Sequence, residues 1–136
     1  LGVTRGTSKA HLCRAVLESI AYESLDLFRA MEAGSGVQIS ELRVDGGASR
    51  SRFLMQYQAD ILHCAVRQPV CLETTALGSA MLAGLAVGVW DSLEELSTIW
   101  KLGHAYAPQI EPGEEEPALR RWHRAVERSR NWANAE

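Results

Sequence analysis

The sequence predicts an α/β fold in which two short strands alternate with two helices. Three observations support this prediction: a long amphipathic helix opens the chain, two short segments of alternating polarity follow it, and a glycine turn joins the first of these to a helical segment. The connection between the strands is long enough to make them parallel, with a right-handed crossover. With 136 residues, of which 46% are hydrophobic and 23% charged, the chain is typical of one globular domain.

The first element is a long helix predicted over residues 8–32. Apolar residues recur there at helical spacing, with Ser24 as the one polar exception. Thr7 or Ser8 can cap the start of the helix, and the Gly-Ser-Gly sequence at 34–36 ends it. The pattern predicts that one face turns towards the core, and this face consists of Cys13, Val16, Leu17, Ile20, Leu27, Phe28 and Met31.

The centre of the chain predicts a β-α-β-α core with flanking helices. Alternation indicates strands at about 41–45 and 64–67, the second ended by Pro69. Helices are predicted at about 50–62 and 74–88, and the second of these carries no charged side chain. Its small residues recur every four positions at Ala76, Ala80, Gly84 and Gly88, so it is predicted as a buried helix whose backbone packs closely on a neighbour. It is too short and too diluted by hydroxyl groups to favour a membrane span.

The C-terminal third is predicted to be helical and peripheral. Ser92 and Glu95 have the spacing of a capping box for a short helix that includes Leu93, Leu96 and Ile99. Residues 103–113 are predicted as a connecting loop, and a last helix begins near Pro117. We expect this helix to turn Leu119, Trp122, Val126 and Trp132 towards the body, and Arg120, Arg121, Arg124, Arg128 and Arg130 towards water.

Charge and cysteine content exclude several classes of function. The net charge of −3 gives no positive field for nucleic acid or anionic lipid, so we expect neither nucleic acid nor membrane as a partner. Three cysteines without a C-x-x-C pair favour a reducing compartment over a disulfide scaffold or a zinc site. No basic segment followed by an apolar one opens the chain, and we therefore expect a cytoplasmic protein.

The motif RVDGGASRSRFLMQ, from Arg43 to Gln56, is the best candidate for a binding site. A strand ends, two glycines make the turn and a helix begins, so that a nucleotide could lie against the backbone. The dinucleotide fingerprint and the P-loop motif are both absent, and a tight turn without a ligand remains an equally good interpretation. Asp45 is the best-placed carboxylate, although we expect it to cap or brace the turn.

Several segments together resemble the C-terminal part of the FGGY carbohydrate kinases. They include LGVTRGTSKAHLCRAVLESIAYE at the start, VDGGASRSRFLMQYQADIL in the middle and TTALGSAMLAGLAVGVW after it. The phrases LRVDGGA, TALG-x-A and LAGLAVG-x-W are most similar to the glycerol kinase branch of that family. The likeness extends from Leu1 to about Trp132 and is weakest at 98–120.

The resemblance implies part of an actin-like, ribonuclease H-like ATPase domain. It also implies transfer of the ATP γ-phosphoryl group to glycerol, with magnesium (Mg2+) as the metal. In the family the adenosine end of ATP or ADP lies against the double-glycine turn. Gly47 matches the residue whose backbone meets the nucleotide, with Gly46 and Ala48 beside it. Ser51 stands where the family usually has an Asn that helps to hold the adenine.

The resemblance further implies that residues 1–136 are an FGGY C-terminal domain truncated at its N-terminal side. The glycerol site, the catalytic base and the phosphate-binding turns are then expected in segments before Leu1, and no catalytic residue is assigned in the chain. We therefore expect the chain alone not to phosphorylate glycerol. A non-catalytic remnant or interaction module derived from an FGGY kinase remains the alternative, and a homo-oligomer is compatible with either interpretation.

Overall fold

The computed structural model describes residues 1–131 and has five α-helices and three strands within that range. In chain order the elements are α1 (Lys9–Ser35), β1 (Glu41–Arg43), α2 (Arg52–Leu62), β2 (Ala65–Pro69), α3 (Thr74–Ala86), α4 (Leu93–Ser97), β3 (Leu102–Tyr106) and α5 (Glu116–Ser129). A 3-10 turn at Gly47–Arg50 leads into α2. The predicted α/β class and the β-α-β-α order are confirmed.

The three strands form one mixed sheet in the order β1-β2-β3. β1 and β2 are parallel, as predicted from the long crossover. β3 pairs antiparallel with β2, so the prediction of a loop over 103–113 is wrong in its first part. Four of the five β3 residues are exposed, and the strand therefore forms through its pairing with β2 rather than through an apolar pattern of its own. At its start Gly103 lies against the backbone of Pro69, where a Cβ would be 3.0 Å from the carbonyl carbon.

α1 has the predicted capping residues but continues to Ser35 instead of ending at 32, and a different face of the helix is buried. The N–H of Ser8 donates to His11 Nδ1 at 3.0 Å, and Gly36, with a φ of 70°, donates to Glu32 O at 2.8 Å. The buried residues are Ala21, Tyr22 and Leu25. Most of the predicted core face is exposed, with Cys13, Val16, Ile20, Leu27 and Met31 among its exposed members. The helix is apolar on more than one side, and α2 packs against the side where the small Ala21 allows a close approach.

The core consists of two apolar clusters that meet on α2. Tyr22, Leu25, Ile61 and Leu119 join α1, α2 and α5, and they also contact Tyr57 and Trp122. Leu54, Met55, Ala59 and Val66 join α2 to β2. α2 is therefore the element that connects the helices to the sheet.

α3 has no buried residue, so the prediction that it packs closely on a neighbour is wrong. A close approach at its row of small residues involves Trp90, since a Cβ on Gly84 would collide with the Trp90 ring. No other element among residues 1–131 covers this apolar helix. Across these residues, no helix is both long and apolar enough to cross a membrane.

The C-terminal elements follow the prediction in part. Ser92 Oγ accepts from Glu95 N at 3.2 Å, whereas the Glu95 carboxylate accepts from Asp91 N instead of completing a box with Ser92. α4 ends at Ser97, before Ile99. On α5 Leu119 is buried and Trp122 half-buried, but Val126 is exposed. The five arginines are exposed as predicted, and Trp132 lies outside the described residues.

Candidate functional site

The candidate site is the turn between β1 and α2. β1 ends at Arg43 and β2 at Pro69, and because the strands are parallel these ends meet at one edge of the sheet. Ligands of α/β proteins commonly bind at the carboxyl ends of parallel strands. Gly46 has φ 74° and ψ −176°, a conformation that is essentially restricted to glycine. Glycine is therefore a steric requirement of this turn at position 46, whereas Gly47 has no positive φ.

The turn leads directly into α2. After the 3-10 turn, Ser51 caps α2 by accepting from Leu54 N at 3.3 Å, and its own N–H donates to Ala48 O at 3.1 Å. The predicted site residues Gly46, Gly47, Ala48 and Ser51 thus lie together within one turn and the following cap. Whether they contact a nucleotide remains a prediction.

Space lies open above the two glycines. A Cβ built on Gly46 or on Gly47 would meet no atom within 4 Å. A cavity of about 170 Å³ lies beside the turn and is lined by Arg43, Val44, Asp45, Pro69, Thr74 and Trp100. A second cavity, of about 480 Å³, shares Pro69, Thr74 and Trp100 with it. The open side of the turn can therefore receive a ligand without displacing a side chain.

Asp45 does not brace the turn as predicted. Its side chain is exposed and makes no hydrogen bond to another described residue. The turn is instead held by Ser49, which is 2% exposed and whose hydroxyl donates to Gly46 O at 2.7 Å. The buried Gln68 of β2 donates through Nε2 to Ser49 O at 2.7 Å.

Ser49 and Gln68 are not among the site residues predicted from the sequence. A signal for Gln68 was present, because alternation places it on the same side of β2 as the buried Cys64 and Val66. Burial raises the pKa of the Cys64 thiol on that side. An amide on such a face must find a partner within the protein, and Ser49 provides it.

Positive charge flanks the turn. Arg50 ends the 3-10 turn and Arg52 begins α2, both are exposed, and neither forms an ion pair with another residue in the range 1–131. On β1, Glu41 contacts Arg43 and Arg67, and the hydrogen bond from Arg43 lowers the pKa of the Glu41 carboxyl. Arg43 also lies over the Trp100 ring, with 4.8 Å from the guanidinium carbon to the ring centroid. Arg50 and Arg52 are thus available to an anionic ligand, whereas Arg43 and Arg67 share the single carboxylate of Glu41.

The other end of α2 is anchored by a hydrogen bond between the half-buried His63 and the buried Glu115. His63 follows α2 with a φ of 49°, and its Nε2 lies 2.9 Å from Oε2 of Glu115, just before α5. Burial opposes ionisation of Glu115, but hydrogen bonds from His63 and from the N–H of Gly113 lower the pKa of this carboxyl below its ordinary value. α2 is therefore fixed at both ends.

The residues near the turn do not fit a resident metal ion. Within residues 1–131, no group of three or more His, Cys, Asp or Glu side chains is arranged to hold one. Asp45 is the only carboxylate that lines the cavity beside the turn. The described residues of the turn therefore offer no site for the magnesium that the resemblance implies.

Comparison with known proteins identifies the family. Residues 1–87 match the C-terminal domain of the FGGY family of carbohydrate kinases. The chain belongs to the FGGY family. The curated FGGY proteins that it resembles include the glycerol kinase of Janthinobacterium sp. (strain Marseille), which is 55% identical over 132 residues. The glycerol kinase of Paraburkholderia phymatum is 52% identical over 134 residues. These alignments cover 97% and 98% of the chain but only 26% and 27% of the relatives, so the chain spans about a quarter of their length.

Solved structures of FGGY kinases share the fold. A crystal structure of Plasmodium falciparum glycerol kinase with ADP matches with a TM-score of 0.80 and 31% identity, covering 94% of this chain and 26% of that one. Xylulose kinase from Rhodospirillum rubrum matches with a TM-score of 0.70 and 25% identity, covering 93% and 26%. The predicted membership of this family and the predicted actin-like α/β fold are confirmed.

Proposed function

We propose that this chain is the adenine-nucleotide-binding part of a cytoplasmic glycerol kinase, which transfers the γ-phosphoryl group of ATP to glycerol. ATP and ADP are then ligands of this chain, and glycerol contacts parts of the enzyme outside it. The observation that carries the proposal is the open double-glycine turn at the carboxyl edge of β1 and β2. The similarity to glycerol kinases supports the choice of reaction.

The proposed role of the chain is to bind and orient the nucleotide. Phosphoryl transfer depends on positioning and on charge stabilisation by several parts of an enzyme at once. Here Gly46 and Gly47 would let the adenosine end approach the backbone, because no side chain of residues 1–131 fills that space. The exposed guanidinium groups of Arg50 and Arg52 would attract the negatively charged phosphates.

A titration of the chain with ADP, followed by calorimetry, tests the proposal. Gly47→Val places two methyl groups in the open space, and we expect binding to be lost. Gly34→Val is the matched control, because Gly34 is also an exposed glycine without an atom within 4 Å of an added Cβ, but lies at the end of α1. We expect this control to bind ADP as the parent does. If Gly47→Val binds ADP as tightly as the parent, the assignment of the site is wrong.

Ser51→Asn sharpens the test in the opposite direction. Asn is as good a helix cap as Ser, so α2 should still begin at the same residue. If the added amide reaches the adenine, affinity for ADP should rise by the roughly 0.5–1.5 kcal/mol of one hydrogen bond. Unchanged affinity, with α2 intact, would show that position 51 does not contact the base.

A further inference from the structure

A continuous chain of buried hydrogen bonds runs from the sheet to the glycine turn. It begins at Gln68 of β2, which is 7% exposed and donates to Ser49 O at 2.7 Å. The hydroxyl of Ser49, itself 2% exposed, donates to Gly46 O at 2.7 Å. Gln68 Nε2 also lies 3.4 Å from Ser49 Oγ.

The backbone N–H of Gly46 also has a hydrogen-bond partner within the protein. Its N–H donates at 2.8 Å to the carbonyl of Leu72, which follows β2. Both polar groups of Gly46 therefore have partners that connect the turn to β2 or to the segment after it. Since Gly46 has a backbone conformation that the chain rarely adopts, these bonds select one arrangement of the turn among those open to two successive glycines.

The bonds all lie on the buried side of the turn. Gln68 and Ser49 are both buried, whereas Gly47 and Ala48 are exposed. The two side chains can therefore act on the open face only through the backbone. A buried amide that loses its partner is costly, so this network resists displacement of the turn when a ligand presses on the open face.

We propose that Gln68 and Ser49 are positioning residues for the nucleotide, which fix the Gly46–Gly47 backbone in the shape that the adenosine end meets. This inference rests on the proposed function, because it assigns a role at the same turn. Neither side chain touches the ligand. Their removal should weaken nucleotide binding while the open face keeps its chemical groups.

Gln68→Met tests the inference, since Met has a similar length and cannot donate a hydrogen bond. The matched control is Gln58→Met, because Gln58 is 6% exposed and donates through Nε2 to Ser24 Oγ at 3.0 Å, between α1 and α2. We expect both variants to lower the melting temperature by similar amounts. Only Gln68→Met should raise the Kd for ADP, by roughly 3- to 10-fold, as expected for a lost hydrogen bond.

Ser49→Ala is a second variant, which removes only the hydroxyl that holds Gly46 O and keeps the inference testable if Gln68→Met does not fold. We expect a similar rise in the Kd for ADP. If Gly47→Val abolishes binding while Gln68→Met and Ser49→Ala leave the Kd within twofold of the parent, the positioning role is refuted and the proposed function stands. An equal rise in Kd for Gln58→Met would also refute it, as a general effect of lost stability. If the parent chain does not bind ADP, the proposed function and this inference both fail.

Discussion

The two helices that follow the parallel strands have opposite environments. α2 buries Leu54, Met55, Gln58, Ala59 and Ile61, and its polar side chains reach other segments as well. Gln56, for example, donates to Ala107 O at 2.8 Å, and Asp60 accepts from Gln109 N at the same distance. α3 has no charged residue and buries none of its side chains.

The difference shows that apolar composition and burial are separate properties. α2 carries polar groups on one side, so only its apolar side can pack into the core, and this side contacts α1 and β2. α3 is apolar all round, which is the usual pattern of a helix covered on every side. Within residues 1–131 it is not covered, and Leu82 is 64% exposed. The candidate turn lies at the start of α2, and Thr74 at the start of α3 lines the cavity beside it. Because none of its residues is buried, we expect α3 to contribute less to stability than α2.

The largest expected effect comes from truncating one leucine on each helix. Leu54 is 1% exposed and packs in the cluster with Val66, so Leu54→Ala should lower the free energy of unfolding by about 2–5 kcal/mol. Leu82→Ala on α3 should change it by less than about 0.5 kcal/mol. Urea denaturation of both variants measures the difference. Equal losses would contradict the contrast between the two helices.

The second effect concerns self-association. An uncovered apolar helix and a net charge of only −3 favour contact between copies, and we expect the chain to associate rather than remain monomeric. Leu82→Glu should weaken association by roughly the 1.5–3 kcal/mol that burial of one leucine contributes. Light scattering after size exclusion measures this change.

Leu93→Glu is the matched control for association, because Leu93 on α4 is 63% exposed, almost the same as Leu82. We expect it to leave association unchanged. A monodisperse parent of 15.0 kDa with a sharp thermal transition would show instead that the chain is self-sufficient and that α3 needs no cover.

The smallest effect is on the anchor between α2 and α5. The pKa of Glu115 lies below the ordinary 4.5, so the folded chain binds this proton less readily than the unfolded chain. The stability from this pair is therefore present above about pH 4.5 and is lost as the pH falls through the folded pKa. Glu115→Gln should lower the free energy of unfolding at pH 7 by about 1 kcal/mol, and the difference from the parent should shrink on acidification.

Glu116→Gln is the control for this anchor, because the neighbouring Glu116 is half exposed and pairs only with Arg120 at 3.4 Å. We expect a change below about 0.5 kcal/mol. A difference between Glu115→Gln and the parent that stays constant from pH 7 to pH 3 would contradict the role of the ionised carboxylate.

The sequence predicted the order of the elements well, because their ends depend on local chemistry. Ser8 caps the start of α1 and Gly36 its end, and Ser51 caps the start of α2. The double glycine lies in the turn between β1 and α2. Which faces are buried could not be predicted in the same way. Val16 and Leu27 lie on an apolar stripe, yet they are 63% and 60% exposed, because burial depends on which neighbour packs on the helix.

β3 was not predicted because it also depends on a neighbour: its residues form a strand only when β2 lies beside them. At the candidate site, the motif located the glycines and the cap correctly. It did not reveal the hydrogen bonds that hold the turn, because Ser49 and Gln68 are 19 residues apart and meet only in the folded chain. Asp45, which is adjacent in sequence, was the wrong choice for that role.

Titration of the isotope-labelled chain with ADP, followed by amide NMR, tests whether the nucleotide binds at the double-glycine turn. If the nucleotide binds at the turn beside α2, the signals of Gly46, Gly47 and Ala48 should shift in proportion to occupancy. The signals of residues 80–86 in α3 should not move. Shifts confined to α3, with the signals of the glycine turn unchanged, would contradict nucleotide binding at this turn.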